Sequence, residues 1–478
     1  MREYRFRLTC RTTTPLHCGA GRESELSDAD LRRRADGTLV IPGTSIAGAL
    51  RTAVERLGGV ERECLLYVQG SMRRGQEQAC TCRVCQLFGN VRPVGDARAS
   101  KVTVYDVALA EDAHEQIVDG VALDRSRRSA SDARKFDCTE VESGVRLVIE
   151  VRACDLDEQE LLWLGAALRL LGVGEVPLGG RTSRGTGRLL AESASLRMRD
   201  LTNPEHLLAT MVHDNDDDAG WPEELATQLD TFPGQDCQLP NHVVVGFSMR
   251  IVPEATFLVA DPTQAVRTGF DRAPRGGVTA AELPATSLRG ALRSGAERIL
   301  RTLKPDAACD PTGNQRCRPT GESTDDTWCC WACRLFGNED WASRLSVTVA
   351  PEDNVNGERA PFDHVAIDRF TGGAREQRKF DALAVRGRRF RVQLTLDRVS
   401  TDDARWMTGL LALTLGDLAE GRVNVGSGAA RGHGFFTLDG PPRWSRHGDD
   451  LRGCIAALWE KLDLPYPCGP AEHGEVRA

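Results

Sequence analysis

Two stretches of the chain, "CTCRVCQLFGN" at 80–90 and "CCWACRLFGNEDW" at 329–341, each place two thiols three positions apart and then run into Leu-Phe-Gly-Asn. Thiols at this spacing are suited to one chemistry above others. As thiolates they hold a soft or borderline cation, and four of them make the closed tetrahedral set of a structural zinc site. The first cluster is Cys64, Cys80, Cys82 and Cys85. The second is Cys309, Cys317, Cys330 and Cys333, with Cys329 competing with Cys317 for one place. Nine of the sixteen cysteines of the chain fall in these two clusters, Cys329 included. In a reducing compartment such clusters read as metal sites rather than disulfides. With four thiols available in each, neither site needs an open position for a reactive water, so the role predicted is structural.

The second set of chemistry-bearing residues is basic. "VALDRSRRSASDARKFD" (121–137) and "VAIDRFTGGAREQRKFD" (365–381) carry Arg125 and Lys135, and Arg369 and Lys379, in equivalent places. They show no helical or strand period and read as exposed extended loops. "GGRTSRGTG" (179–187) and "GSGAARGHG" (426–434) share an Arg-Gly-x-Gly ending behind a glycine turn, with Gly179, Arg184 and Gly185 matched by Gly426, Arg431 and Gly432. Glycines let backbone approach a phosphate and leave N–H groups to donate, and arginine adds a bidentate cation. Paired basic loops of this kind fit a groove that follows a nucleic-acid backbone. The net charge of −8 opposes a uniformly basic surface, but the cations are lopsided, with five lysines against 56 arginines.

What must position these groups is a repeated module. "LVIPGTSIAGALRTAVERL" (39–57) pairs with "AELPATSLRGALRSGAERIL" (281–300), and all the matched segments keep their order at offsets of 242 to 248 residues. The chain is therefore a tandem duplication. Its 478 residues suit two domains, expected at 1–200 and 241–440. Between them lies an acidic linker, 201–240, and after them a C-terminal helix and tail, 441–478. In each half the pattern reads strand, helix, irregular insert, strand, helix, strand. "EYRFRLTCRT" alternates as a strand. "TSIAGALRTAVERL" sets Ile46, Leu50, Ala53 and Leu57 at helical spacing, with Thr44 or Ser45 as N-cap. A second helix over 156–172 turns Leu161, Leu164, Leu168 and Leu171 inward. These orders predict an α+β, ferredoxin-like (RRM-like) core with long inserts. No apolar run is long enough for a membrane span, and the charged, alternating start is unlike a secretory signal, which predicts a cytoplasmic protein with no membrane partner.

The Ile-Pro-Gly-Thr-Ser helix start, the Cys-x-x-Cys-x-Leu-Phe-Gly insert, the Ile-Asp-Arg-x-Thr-Gly-Gly-Ala segment and the Arg-Gly-x-Gly loop together resemble the RAMP superfamily. Within it they are similar to the backbone subunit of type III CRISPR effector complexes, here as a tandem fusion. The resemblance spans roughly 5–195 and 243–440. It implies two RRM-like domains with zinc-bearing inserts and protruding hairpins, which line a CRISPR guide RNA paired to target RNA beside other effector subunits. Ser45 and Ser287, at the starts of the matched helices, join the RNA-binding set by the same resemblance. In that family an aspartate in the loop after the first strand cuts the target RNA. Here that places Asp28 in half one, with Asp30 as the alternative, and Asp271 in half two. Half two lacks a His17-Cys18-Gly19 stretch and has Ala285 in place of Gly43. One carboxylate can assist attack of a 2′-hydroxyl on the adjacent phosphate, or hold a divalent ion such as Mg2+ or Mn2+ near it.

Three functions compete on these residues. One is an RNA-guided endoribonuclease subunit of an antiviral complex. The second is a guide-RNA scaffold of the same kind with idle aspartates. The third is a zinc-stabilised interaction protein without nucleic acid, which absorbance at 260 nm of the purified complex would separate from the other two.

Overall fold

The computed structural model describes residues 1–21, 27–58, 82–90, 98–110, 112–124, 129–213, 218–310, 316–319 and 326–465. The chain divides into two compact units, Met1–Pro240 and Asn241–Ala478. Among the described residues no helix is long and apolar enough to cross a membrane.

The first unit opens with β1 (Arg2–Thr12), whose Tyr4, Phe6, Leu8 and Cys10 alternate into the core. A loop leads to the short strand β2 (Val40–Ile41) and then to α1 (Gly43–Leu57), which buries Ile46, Leu50, Ala53 and Val54. The cysteine insert contributes α2 (Arg83–Phe88), and β3 (Val102–Val104) and β4 (Val107–Ala108) follow it. A long hairpin, β5 (Glu115–Asp124) and β6 (Ser129–Val141), precedes β7 (Arg146–Cys154), α3 (Glu158–Gly172) and β8 (Leu189–Asp200). The main sheet has the antiparallel order β3-β7-β1-β8. With α1 and α3 on one face this is the ferredoxin-like arrangement expected from the sequence. Leu164, Leu168 and Leu171 of α3 are buried against it, and Asp157 and Glu160 close a capping box at its start.

Two local expectations change. The N-cap of α1 is Pro42, with no side-chain cap; neither Thr44 nor Ser45 takes that place. Asp106 supplies the missing acceptor instead, taking the Gly43 N–H at 2.8 Å. A Cβ on Gly43 would lie 2.2 Å from the Val104 carbonyl oxygen, which explains the glycine. The "RKFD" segments are strand rather than extended loop. Lys135 pairs opposite Val121 across the hairpin, and Lys379 opposite Val365. Strand alternation is hidden there because both faces of the hairpin carry polar residues.

The acidic segment 201–240 is built into the first unit. It forms α4 (Pro204–Val212) and β9 (Glu223–Ala226), which adds to the edge of β8. Phe232 is buried edge-on to Phe6, with ring centroids 5.8 Å apart. Trp221 is fully buried on the other face of the sheet, under the guanidinium groups of Arg199 at 4.1 Å and Arg5 at 5.3 Å. The buried Arg5 is ion-paired to Asp218. A run of aspartates conceals two aromatic anchors that a linker would not carry.

The second unit repeats the plan. β10 (Val243–Ile251) is followed by α5 (Pro262–Thr268) and α6 (Ala285–Leu303), and by the insert helix α7 (Trp331–Phe336). β11 (Leu345–Pro351), the hairpin β12 (Glu358–Ile367) and β13 (Ala374–Arg386), β14 (Arg389–Leu396), α8 (Thr401–Ala419) and β15 (Phe436–Leu438) complete the module. The sheet order β11-β14-β10-β15 matches that of the first unit, and β16 (Arg443–Trp444) also pairs with β10. Helix α9 (Leu451–Lys461) buries Cys454 and Leu458 against α8, where a Cβ on Gly409 would meet the Cys454 carbonyl oxygen at 2.3 Å. Residues 466–478 of the expected tail lie outside the described residues.

Replacing Trp221 by Ala should lower the stability of the first unit by about 3–5 kcal/mol, the usual cost of truncating a buried aromatic. Denaturant unfolding monitored on the first unit checks this. An unchanged midpoint would return the segment to the status of a linker.

Candidate nucleic-acid interface and metal centre

The cysteine insert is organised the same way in both units. Cys82 and Cys330 are the N-caps of α2 and α7, accepting the N–H groups of Cys85 and Cys333 at 3.4 Å. Each helix ends at a glycine of positive φ, Gly89 or Gly337, where a Cβ would come within 2.6 Å of backbone. The asparagine that follows closes the next loop, Asn90 through Arg98 and Asn338 through Trp341. The repeated "LFGN" is thus a turn, not a contact sequence.

In the second unit Cys309, Cys317, Cys330 and Cys333 bring their sulfurs within 4.8 Å of one another. Cys309 and Cys333 are 3.6 Å apart, near the roughly 3.8 Å that two thiolates keep on one tetrahedral zinc. Backbone N–H groups of Cys309 and Cys330 donate to the sulfurs of Cys330 and Cys317 at 3.3 and 3.1 Å. Thiol donation from Cys309 and Cys333, with the backbone N–H groups of the same two residues, holds the Cys330 thiol well below the usual range. This donor set could hold a metal such as zinc. The choice left open between Cys317 and Cys329 falls to Cys317, because Cys329 is outside the cluster and faces Asn338 instead. In the first unit Cys82 and Cys85 are in place, while Cys64 and Cys80 lie outside the described residues.

An arginine braces each insert, buried in the second unit and partly buried in the first. Arg293 of α6 donates to Glu297 at 2.9 Å, to the Gly337 carbonyl at 2.7 Å and to the Cys333 sulfur at 3.4 Å. Arg51 of α1 makes the same three bonds, with Glu55, Gly89 and Cys85, at 3.1, 3.2 and 3.5 Å. A cation donating to a ligand sulfur offsets the negative charge of a four-thiolate site. The sequence carries the signal, since both arginines sit at the same step of the matched helices.

The basic motifs and the aspartate loops meet on the hairpin. Arg184 stacks over Phe136 at 5.3 Å, and Arg431 over Phe380 at 5.4 Å. Arg184 is half-buried, and desolvation together with Arg181 pulls its basicity below the usual arginine range. The next residue of each strand is an aspartate. Asp28 donates its N–H to Asp137 Oδ1 at 2.8 Å, and Asp137 returns an N–H to Asp28 Oδ2 at 3.0 Å. Asp271 and Asp381 form the same reciprocal pair at 2.6 and 2.9 Å. Asp28 and Asp271 are therefore structural equivalents. Asp30 is not duplicated: the bond its carbonyl accepts from the Ala20 N–H is made in the second unit by Ala273, and its own carboxylate turns back to the Leu31 N–H.

The glycine loops have another reason than phosphate binding. The N–H groups of Gly180 and Gly187 donate to His17 and Pro15, and those of Ser427 and Gly434 to Leu258 and Thr256. A Cβ on Gly187 or Gly434 would lie 1.9 or 2.2 Å from a carbonyl oxygen. Gly179 and Gly426, both at positive φ, press on the carbonyls of His17 and Leu258. The N–H groups of Gly185 and Gly432 close their own 3-10 turns. What these loops leave to a ligand is their arginines.

Of the remaining sequence candidates, Lys135 and Lys379 are exposed and paired to Asp119 and Asp363 at 3.2 and 3.4 Å, ion pairs of little strength in water. Arg369 is exposed at the tip of the second hairpin, where Asp368 caps the turn by accepting the N–H groups of Phe370 and Thr371. Phe370 there is 98% exposed. Arg125 lies outside the described residues. Ser45 and Ser287 are half-buried in the first turns of α1 and α6.

A family model described as the RAMP superfamily matches residues 9–190 and 267–437. No curated protein matches the chain.

Cys333→Ser should remove one metal ion per chain in elemental analysis and lower the unfolding temperature of the second unit, since the cluster ties α7 to the segment around Cys309. An unchanged metal content would exclude the second-unit cluster as a metal site.

Proposed function

The chain belongs to the RAMP superfamily, which makes it a CRISPR-associated RNA-binding subunit, and from that premise we propose that it is a backbone subunit of a type III effector complex that binds guide RNA and cuts base-paired target RNA. The observation that carries this reading is a site built twice. Each unit sets a loop aspartate, an arginine on an aromatic ring and a protruding hairpin on one strand.

Asp28 and Asp271 are the cutting carboxylates. In each, Oδ2 is held by backbone, and Oδ1 takes no part in that pairing. Mg2+ and Mn2+ are commonly held by one or two carboxylates together with substrate phosphate, a donor set these loops can offer. A divalent ion there would stabilise charge on the phosphate during 2′-hydroxyl attack. The carboxylate orients the reacting phosphate, and the hairpin holds the strand so that attack and departure lie in line. Arg184, Arg431, Lys135, Lys379 and Arg369 track the RNA backbone, and the bare ring of Phe370 offers a stacking surface to an unpaired base. Ser45, Ser287 and the loop glycines Gly179, Gly185, Gly426 and Gly432 belong to this surface as its frame. Zinc would be held in both inserts, by Cys309, Cys317, Cys330 and Cys333 in the second unit and by Cys64, Cys80, Cys82 and Cys85 in the first. The matching Arg51 brace supports that assignment.

A second reading has a specific observation behind it. Reciprocal aspartate pairs close loops even where nothing is cut, so a guide-RNA scaffold without cleavage is the alternative. The two separate in a single-turnover assay of the assembled complex. Asp28→Ala should abolish one target cut and Asp271→Ala another, with target affinity within about twofold, since one loop carboxylate adds little to binding a polyanion. Cuts that persist in the double variant would leave the scaffold.

The basic surface has its own check. Replacing Arg184, Arg431, Lys135 and Lys379 together by Ala should weaken RNA binding and flatten its salt dependence, by roughly 0.7–0.9 in log–log slope for each phosphate that is no longer neutralised. An unchanged slope would mean that these cations serve only Phe136, Phe380 and the hairpin aspartates.

A further inference from the structure

The loop aspartates are not held by their own loops. Asp28 and Asp271 lie on segments that leave the first strand, whereas their partners Asp137 and Asp381 lie on the second strand of each hairpin, 109 and 110 residues further on. The two bonds of each pair are reciprocal. One fixes the backbone of the loop residue, and the other fixes its carboxylate through Oδ2. A third bond follows on the same edge, from the Thr139 N–H to the Ala29 carbonyl at 3.0 Å and from the Leu383 N–H to the Arg272 carbonyl at 2.8 Å. The loop residue and the hairpin strand thus move as one piece. Asp137 and Asp381 are half-buried, and their carboxylates serve this latch.

We propose that Asp137 and Asp381 are positioning residues for RNA cleavage: through the latch, the hairpin strand sets the position and rotamer of Asp28 and Asp271. The inference rests on the reading of Asp28 and Asp271 as the cutting carboxylates. It adds a consequence that the cutting residue alone does not have. A hairpin displaced by its RNA carries the loop carboxylate with it, so hairpin engagement and cleavage are coupled in each unit. What the latch requires of position 137 or 381 is an acceptor oxygen on the side chain and a backbone N–H. A negative charge is not required. Asparagine meets that requirement and alanine does not, which distinguishes a positioning role from direct participation at the phosphate.

The test uses the full chain in its assembled complex, with Asp137→Ala, Asp137→Asn and the same pair of changes at Asp381. Two readouts are taken. The first is hydrogen exchange of the backbone over 27–31 and 271–275, compared with exchange in α3 and α8 as a control for folding. The second is single-turnover cleavage at the position that Asp28→Ala or Asp271→Ala removes. Asp137→Ala should speed exchange over 27–31 but not in α3, and slow its own cut by about 10- to 100-fold, the scale of a misplacement near 1 Å. The cut of the other unit should continue, and target affinity should hold. Asp137→Asn should restore protection and most of the rate. Equal loss with Asn and Ala would overturn the proposal, because the charge itself would then be acting. So would unchanged exchange in the Ala variant. Should Asp28→Ala leave cleavage intact, the cutting assignment fails on that result alone, and the latch is judged by exchange.

Discussion

Each unit depends on one close backbone approach, that of the glycine loop to the residues leaving the first strand. Gly179 and Gly426 sit where any side chain would overlap the carbonyl oxygen of His17 or Leu258, and the N–H groups of Gly187 and Gly434 bond the chain at Pro15 and Thr256. This approach fixes where the first strand ends and where the aspartate loop begins. It also holds Arg184 and Arg431 over the hairpin rings, since both arginines lie between the glycines that make it. The loops expected to cradle phosphate by their amides instead spend those amides on the protein. The functional surface is the side chains that this backbone approach aims.

The duplication serves as an internal control on which features matter. The reciprocal aspartates, the arginine on phenylalanine and the arginine brace at the cysteines keep their partners in both units. Other positions change chemistry freely. Gly120 leaves room for the Phe136 ring, whereas His364 occupies that place in the second unit, with its ring 4.8 Å from Phe380. Constraint therefore falls on what orients the aspartate and the arginine, and the packing beneath them is negotiable.

The sequence made the repeat, the fold class and the cysteine clusters legible because each rests on local spacing: period two in the strands, period 3.6 in the helices, and Cys-x-x-Cys before a turn. Two kinds of information were not local. The pairing of Asp28 with Asp137 spans 109 residues and joins a loop to a strand whose alternation is masked by charge. The burial of Trp221 and Phe232 was masked by the aspartates around 213–218, which make a structured edge look like a linker. The acceptor that starts α1 is likewise remote, since Asp106 does what Thr44 or Ser45 would do from within the helix. In each case the sequence held the residue but not the partner, and long-range partners are what a pattern of neighbours omits.

The same reasoning bears on whether the second unit is the weaker site. Two departures set the second half apart, the loss of the His17 stretch and Ala285 at the place of Gly43. His17 is buried, donates from Nδ1 to the Thr139 carbonyl and lies against Gly180. The equivalent position is Leu258, but an imidazole returns from the glycine loop itself. His433 is buried, hydrogen-bonded to Thr256 and packed on Gly428. Desolvation and the charge of Arg431 push its pKa below the ordinary histidine value, so at neutral pH it serves as a neutral packing group. Each unit therefore has a buried ring against a glycine of this loop, contributed from a different side. Ala285 stands at the first position of α6, where the helix keeps the proline N-cap of its counterpart. Neither departure touches Asp271 or Asp381, whose two bonds are as short as those of the first unit. On geometry, the second aspartate is held as firmly as the first.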